Sequence, residues 1–134
     1  MKVYIGIKYH EDYRNKSIVD KLSSVLEKMG HETICIIRDI EKEGQASYNS
    51  DELMKITFSE IDACDLVIID LTEKGVGLGI EAGYAFAKGI PIIIVAKDGS
   101  DISNTLVGIS KKVIFYNEIE DIENEIEGTD KNGY

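Results

Sequence analysis

The chain has 134 residues, 43% hydrophobic and 30% charged, enough for one domain with its own core. Its 25 acids against 15 bases leave a net charge of −10, which argues against nucleic acid as a partner, because phosphate backbones are held by clustered Lys and Arg. No apolar run approaches the roughly 20 residues that span a bilayer, and Met1 leads directly into a strand pattern without signal-peptide features. The expectation is a cytoplasmic protein that uses no membrane.

The first predicted strand covers residues 2–8, Lys-Val-Tyr-Ile-Gly-Ile-Lys. A polar segment, 9–16, leads into a predicted helix over 17–29, where Ile18, Val19, Leu22, Val25, Leu26 and Met29 recur at spacings of three and four. Gly30 is the expected C-terminal cap, and a second strand is predicted at 33–37. Residues 38–50 are polar and without period, as expected of a lid, a binding loop or a mobile segment. Ser50 is the expected N-cap of a second helix reaching about residue 63, with Leu53, Met54 and Ile61 turned inward.

A third strand is predicted at 65–71, followed by a glycine-rich stretch, Gly75-Val-Gly77-Leu-Gly79-Ile-Glu81-Ala-Gly83, that opens a third helix closing at Gly89. Glycines at 75, 77 and 79 would let the backbone approach a ligand and take up conformations closed to other residues, and Glu81 is expected in the first turn. The run 90–95 is wholly apolar, so that strand should be covered on both faces. A polar loop at 98–103, a short helical turn, a fifth strand at 112–116 and a last helix at about 118–127 complete the domain, residues 128–134 being read as a frayed tail. The acid excess of residues 118–127 reads as a solvated helix face.

Strand and helix alternate throughout. The expected fold is therefore one α/β domain, a doubly wound, flavodoxin-like, five-stranded parallel sheet with helices on both faces. Ligands of such folds bind at the carboxyl ends of the strands, which would gather residues 8–10, 38 onward, 70–79 and 97–104. Cys35 and Cys64 sit in apolar contexts and have neither zinc-site nor redox spacing, so they read as core residues.

The Gly-x-Gly-x-Gly pattern does not fit a dinucleotide fingerprint, which belongs after the first strand. Nor is there a Gly-Lys-Ser/Thr phosphate loop, a serine triad or a cysteine–histidine pair. Carboxylate chemistry centred on Glu81 is left. From the residues alone, Glu81 is either such a group or an acid favoured by the start of a helix. Asp70, at a strand end, is either part of a site or the cap of a loop.

The stretch Cys64-Asp-Leu-Val-Ile-Ile-Asp-Leu-Thr72, then Gly77-x-Gly79-x-Glu81-x-Gly83-x-Ala85, then Gly89-x-Pro91-Ile92 resembles the nucleoside 2-deoxyribosyltransferase family. The resemblance is closer to its hydrolase branch, the 2′-deoxynucleoside 5′-monophosphate N-glycosidases. It spans about residues 2–117 and is tight across 64–92.

The resemblance implies that Glu81 is a nucleophile attacking the anomeric carbon of a (deoxy)ribose to form a glycosyl ester, which water or a second base then captures. It implies an aromatic phenol near the sugar at Tyr4, sugar and phosphate contacts along Gly6, Lys8, Tyr9 and His10, and a ligand cradle at Gly75, Gly77 and Gly79. Arg14 and Lys16 are further cations in the first loop, although the family's glycine pair is absent there. It also implies a homodimer in which Ser103 and Asn104 reach the neighbouring subunit's site. A small-molecule nucleoside or nucleotide is the implied partner, and no metal or organic cofactor is called for.

One position departs from the family. An aspartate usually stands on the second helix and assists base departure; counting back from Cys64-Asp65 without gaps, Thr57 stands there. A threonine can hydrogen-bond but is no general acid. Asp51, Glu52, Glu60 and Asp70 are nearby acids that could substitute. Alternatives to an enzyme are a non-catalytic nucleotide-binding or sensing module on the same scaffold, or a domain that serves assembly alone.

Overall fold

The computed structural model describes residues 1–131. Five strands, β1 (Lys2–Gly6), β2 (Glu32–Ile34), β3 (Leu66–Asp70), β4 (Ile92–Lys97) and β5 (Lys112–Tyr116), form one parallel sheet in the order β2-β1-β3-β4-β5. This is the doubly wound, flavodoxin-like arrangement expected. The chain leaves β1 towards β2 and returns to β3 on the other side, so the order reverses between β1 and β3, and a crevice opens at that switch point. The register there pairs Tyr4 with Val67 and Gly6 with Ile69.

Alternation along the strands splits the core into two layers. Val3, Ile5, Leu66, Ile68, Ile93 and Val95 face one side, where α1 (Lys16–Lys28) buries Val19, Leu22 and Leu26 and α5 (Ile122–Lys131) buries Ile122 and Ile126. Tyr4, Val67, Ile69, Ile92 and Ile94 face the other. There α2 (Ser50–Asp62) contributes Ile61, α3 (Val76–Ala87) contributes Leu78, Ala82 and Ala85, and the short α4 (Asn104–Val107) contributes Leu106. Tyr4 and Gly6, two residues apart, thus both point towards α2 and α3.

Gly30 and Gly89 follow α1 and α3 with φ of +91° and +75°, the left-handed geometry that a helix stop requires and glycine supplies. The last helix runs through Lys131, past the residue 127 expected; residues 132–134 of the anticipated tail lie outside the described residues.

Two expectations need correction. The second strand ends at Ile34, and the segment after it carries local structure: Ile36–Ile40 form a π turn and Lys42–Gly44 a 3₁₀ turn, while residues 45–49 belong to no helix or strand. The reason is side-chain capping. Asp39 accepts the Cys35 N–H at 2.9 Å, and Arg38 bonds Asp39 at 2.7 Å and the Thr33 hydroxyl at 3.1 Å, its guanidinium also reaching Ser23. The apolar run is thereby bent out of the sheet. Secondly, α2 starts at Ser50 with Asn49 as its N-cap, Glu52 accepting the Asn49 N–H at 3.2 Å.

Cys35 and Cys64 are buried free thiols in different core layers, and burial pushes both up to about 11. Among the described residues no helix is long and apolar enough to cross a membrane.

Candidate active site

Glu81 stands near the carboxyl edge of the sheet on α3, which packs over β3 and β4. Its helix begins at Val76, so Glu81 stands in the second turn and not, as expected, in the first. That extra turn carries the side chain over β1. The Tyr4 hydroxyl donates to Glu81 Oε1, while Oε2 accepts no hydrogen bond among the described residues and lies 3.3 Å from where a Cβ on Gly6 would stand. A Cβ on Gly6 would also meet Ile69 Cδ1 at 2.7 Å. Glycine at position 6 is therefore what makes room for the carboxylate.

Glu81 is half-buried. Burial pushes its carboxyl up to about 7, and the Tyr4 hydrogen bond partly offsets that rise. Burial first, and the Glu81 charge second, hold the Tyr4 phenol well above its ordinary value, so Tyr4 remains a donor at neutral pH. The result is a carboxylate with one oxygen fixed and the other free, poised near neutrality. Such a group can act as a nucleophile or as a base.

Glu81 opens into a cleft of about 530 Å³ at the switch point. The segment after β1 supplies Lys8 and Tyr9; the start of α3 supplies Gly75 and Gly77; α2 supplies Leu53, Met54 and Thr57. Lys8 makes no side-chain ion pair among the described residues, and its stem would lie 3.1 Å from a Cβ on Gly75. Gly75 caps α3 without any side-chain bond, so the helix's first-turn N–H groups stay open to an anion beside the Lys8 ammonium.

The glycines work differently from the expectation. Gly75 is extended and Gly77 and Gly79 are helical; none has positive φ. A Cβ at 77 or 79 would meet nothing within 4 Å, whereas one at 75 would crowd the Lys8 stem at 3.1 Å.

The structure separates several residues from this cleft. His10 turns to Glu73, with both carboxylate oxygens at 3.0 Å, and borders a smaller cavity on the α1 side. Asp70 has the parity of Ile68 and so faces the α1 and α5 layer. There it accepts the Tyr116 hydroxyl at 2.6 Å and the Thr72 N–H at 2.9 Å, which makes it the loop cap of the two alternatives. Gly79 lies outside the cleft lining, on the far side of α3 from Glu81. Arg14 and Lys16 are engaged by Asp12 at 3.1 Å and Asp20 at 2.8 Å.

Ser103 and Asn104 do not line the cleft of their own chain. Ser103 caps α4, accepting from Leu106 N at 3.4 Å, and Asn104 is exposed. Thr57 lines the cleft, but its hydroxyl donates to the Leu53 carbonyl at 2.8 Å, so its one proton is already engaged.

Of the substitute acids, Glu52 caps α2, Asp51 is exposed and Glu60 pairs with Lys2 at 3.6 Å. None of them lines the cleft. The acid that does, besides Glu81, is Glu41, which stands just after the π turn. Sequence reasoning missed it because it sits in a stretch with no periodicity to orient it.

A model of nucleoside 2-deoxyribosyltransferases matches residues 3–133 of the chain. Among similar solved structures is a CMP N-glycosidase, BcmB, from Clostridium botulinum, at 23% identity, with 96% of this chain and 99% of that one covered and a TM-score of 0.66. A 2-deoxyribosyltransferase from Bacillus psychrosaccharolyticus is 18% identical, with 92% and 91% covered and a TM-score of 0.71. An orphan response regulator from H. pylori, 12% identical with 96% and 94% covered, also superposes, with a TM-score of 0.57; the fold is thus shared beyond nucleoside enzymes. No protein of curated function matches the sequence significantly. With a family match over nearly its whole length, and Glu81 beneath a cleft at the sheet's switch point, the chain belongs to the nucleoside 2-deoxyribosyltransferase family.

Proposed function

We propose that the protein cleaves the N-glycosidic bond of a (deoxy)nucleoside or its 5′-monophosphate, with Glu81 as the nucleophile. The observation that carries this is the half-buried Glu81 carboxylate, fixed at Oε1 by Tyr4 and free at Oε2. In this reading Oε2 attacks the anomeric carbon as the bond to the base breaks, giving a glycosyl ester of Glu81. Tyr4 holds the attacking group in line and stabilises it whenever it is an anion. Water resolves the ester in a hydrolase; a second base resolves it in a transferase.

The Lys8 ammonium, which has no ion pair among the described residues and stands beside the uncapped start of α3, favours a phosphorylated sugar, and with it the N-glycosidase branch. Tyr9, Gly75 and Gly77 would border that end of the substrate, and Leu53 and Met54 supply apolar surface for a base. The reading includes a homodimer in which Ser103 and Asn104 complete the partner's cleft, and a cytoplasmic setting.

The hydroxyl of Thr57, bound to its own helix where the family keeps an aspartate, favours a second reading: a non-catalytic nucleotide-binding module. The two are separated by incubating the protein with a panel of deoxynucleosides and their 5′-monophosphates, with and without an acceptor base, and following free base by chromatography. Release that Glu81→Ala abolishes is the expected result. Thermal stabilisation by a nucleotide without any base release would support the second reading. Accumulation of base without an acceptor marks a hydrolase, and exchange only with an added base a transferase.

A further inference from the structure

We propose that Glu41 is the general acid of this site, protonating the base as it departs and later activating the water that frees the sugar. This rests on the glycosidic reading of Glu81 and supplies the proton donor that Thr57 cannot be.

The geometry has three parts. First, Glu41 and Glu81 line one cleft, whereas every acid near Thr57 on α2 is exposed or otherwise engaged. Secondly, the Glu41 backbone is anchored: its N–H donates to the Ile36 carbonyl at 2.9 Å, and its carbonyl accepts from Gly44 at 3.1 Å and Ala46 at 3.0 Å. Thirdly, its side chain makes no hydrogen bond or ion pair among the described residues, although it is half-buried. A carboxyl held by its backbone and left free at its tip is available to a ligand.

The charged and titratable groups around it fit a proton donor. Glu81 and Lys8 line the same cleft, with Tyr9, and Tyr13 lies close enough to sense its charge. On its own segment Asp39 is neutralised by Arg38 at 2.7 Å, Lys42 is exposed, and Glu43 faces Lys16 at 3.9 Å. Among the described residues no cation is paired with Glu41, and burial raises its carboxyl above the ordinary value. The reacting form in this proposal has Glu41 protonated and Glu81 ionised, as retaining glycosidic chemistry requires of its two carboxyl groups.

The step balances as follows. Glu81 Oε2 bonds to C1′, the electron pair of the C1′–N bond passes to the base, and the base takes the proton of Glu41. The products are a neutral base, the glycosyl ester and the Glu41 carboxylate. Water then attacks C1′ and gives its proton to Glu41, while the C1′–Oε2 pair returns to Glu81. Both groups are restored.

The test uses the full-length protein, Glu41→Gln, Glu41→Asp and Glu81→Ala. One substrate is the deoxynucleoside 5′-monophosphate that the wild type cleaves best; the other is 4-nitrophenyl 2-deoxyriboside 5-phosphate, whose leaving group departs without a proton. Glu41→Gln should lower kcat/KM, which reports the bond-breaking step alone, by about 10²- to 10⁴-fold on the nucleotide and by less than about five-fold on the aryl substrate. It should also remove the fall in activity that the wild type shows as pH rises through the titration of its acid. Glu41→Asp should restore part of the loss.

Glu81→Ala should abolish both reactions. Because the Glu41 side chain makes no hydrogen bond or ion pair among the described residues, Glu41→Gln should keep the wild-type melting temperature. Equal losses on both substrates, or none on the nucleotide, would overturn the role of Glu41 while leaving Glu81 in place. Failure of the wild type to cleave either substrate would overturn the glycosidic reading itself, and this proposal with it.

Discussion

Replacing Glu81 by Gln should change how stability depends on pH. Glu81 titrates at about 7 in the folded chain against an ordinary value of 4.5. A group whose pKa is raised by folding supports the folded state below its unfolded value and weakens it as pH climbs through the folded one. At about 1.4 kcal/mol per pH unit, this gap costs the wild type about 3 kcal/mol once Glu81 is fully ionised, and about 1 kcal/mol is already felt at pH 5.

Glu81→Gln keeps the size of the side chain and an oxygen for the Tyr4 hydroxyl, but it has no proton to lose. Between pH 5 and pH 8 the wild type should therefore lose about 2 kcal/mol relative to the variant. The comparison cancels the titrations common to both chains, including those that arise from the large negative net charge. Urea unfolding of both proteins at pH 5, 6, 7 and 8, analysed by linear extrapolation, reads the difference directly. Two curves that stay parallel within about 0.5 kcal/mol would mean that Glu81 ionises as a solvated carboxyl does, and the electrostatic account of the site would fail.

Tyr4→Phe removes the hydrogen bond that opposes burial at Glu81, so the rise of base release with pH should move about one unit to alkaline, with activity at pH 7 down about five-fold and recovered as pH rises to 9 in a stopped assay. Gly6→Ala places a Cβ 2.7 Å from Ile69 Cδ1 and 3.3 Å from Glu81 Oε2; calorimetry should register about 1–2 kcal/mol of destabilisation, and base release should fall with it. Gly83→Ala fills open space on an exposed turn of α3 and should stabilise by about 0.8–1 kcal/mol, a melting-temperature rise of roughly 3–5 °C. A fall at Gly83→Ala would instead mean that a surface outside the chain packs there.

Most of the fold was legible because the hydrophobic period switches cleanly between two and 3.6 along the chain. The helix of α1, the stop at Gly30 and the wholly apolar β4 all follow from that switch. Glu81 was legible as the single acid within a glycine-rich helix start. Its partner relation to Tyr4 and Gly6 depends on two facts that one sequence does not carry: the β1–β3 register, and the starting residue of α3.

Asp70 shows the same gap. Its type and position at a strand end suit a site, and only parity against Tyr4 sends it to the opposite layer. The segment after β2 was the least legible. There an Arg38–Asp39 clamp, rather than any periodic pattern, bends the backbone and presents Glu41. The three glycines ahead of Glu81 read as freeing the backbone, but none has positive φ, and Gly79 lies outside the cleft lining. In the folded chain Gly75 is the one of the three beside which a Cβ would crowd a neighbour, the Lys8 stem at 3.1 Å.

The central claim is that Glu81 forms a bond to the sugar. Its most direct measurement is mass spectrometry of the protein quenched in acid during turnover of a cleaved deoxynucleoside 5′-monophosphate, followed by peptide mapping. The expected result is a fraction of the chain heavier by one deoxyribosyl phosphate, on the peptide that contains Glu81, and no adduct in Glu81→Ala. Base release that continues in Glu81→Ala, or an adduct on another residue, would contradict it.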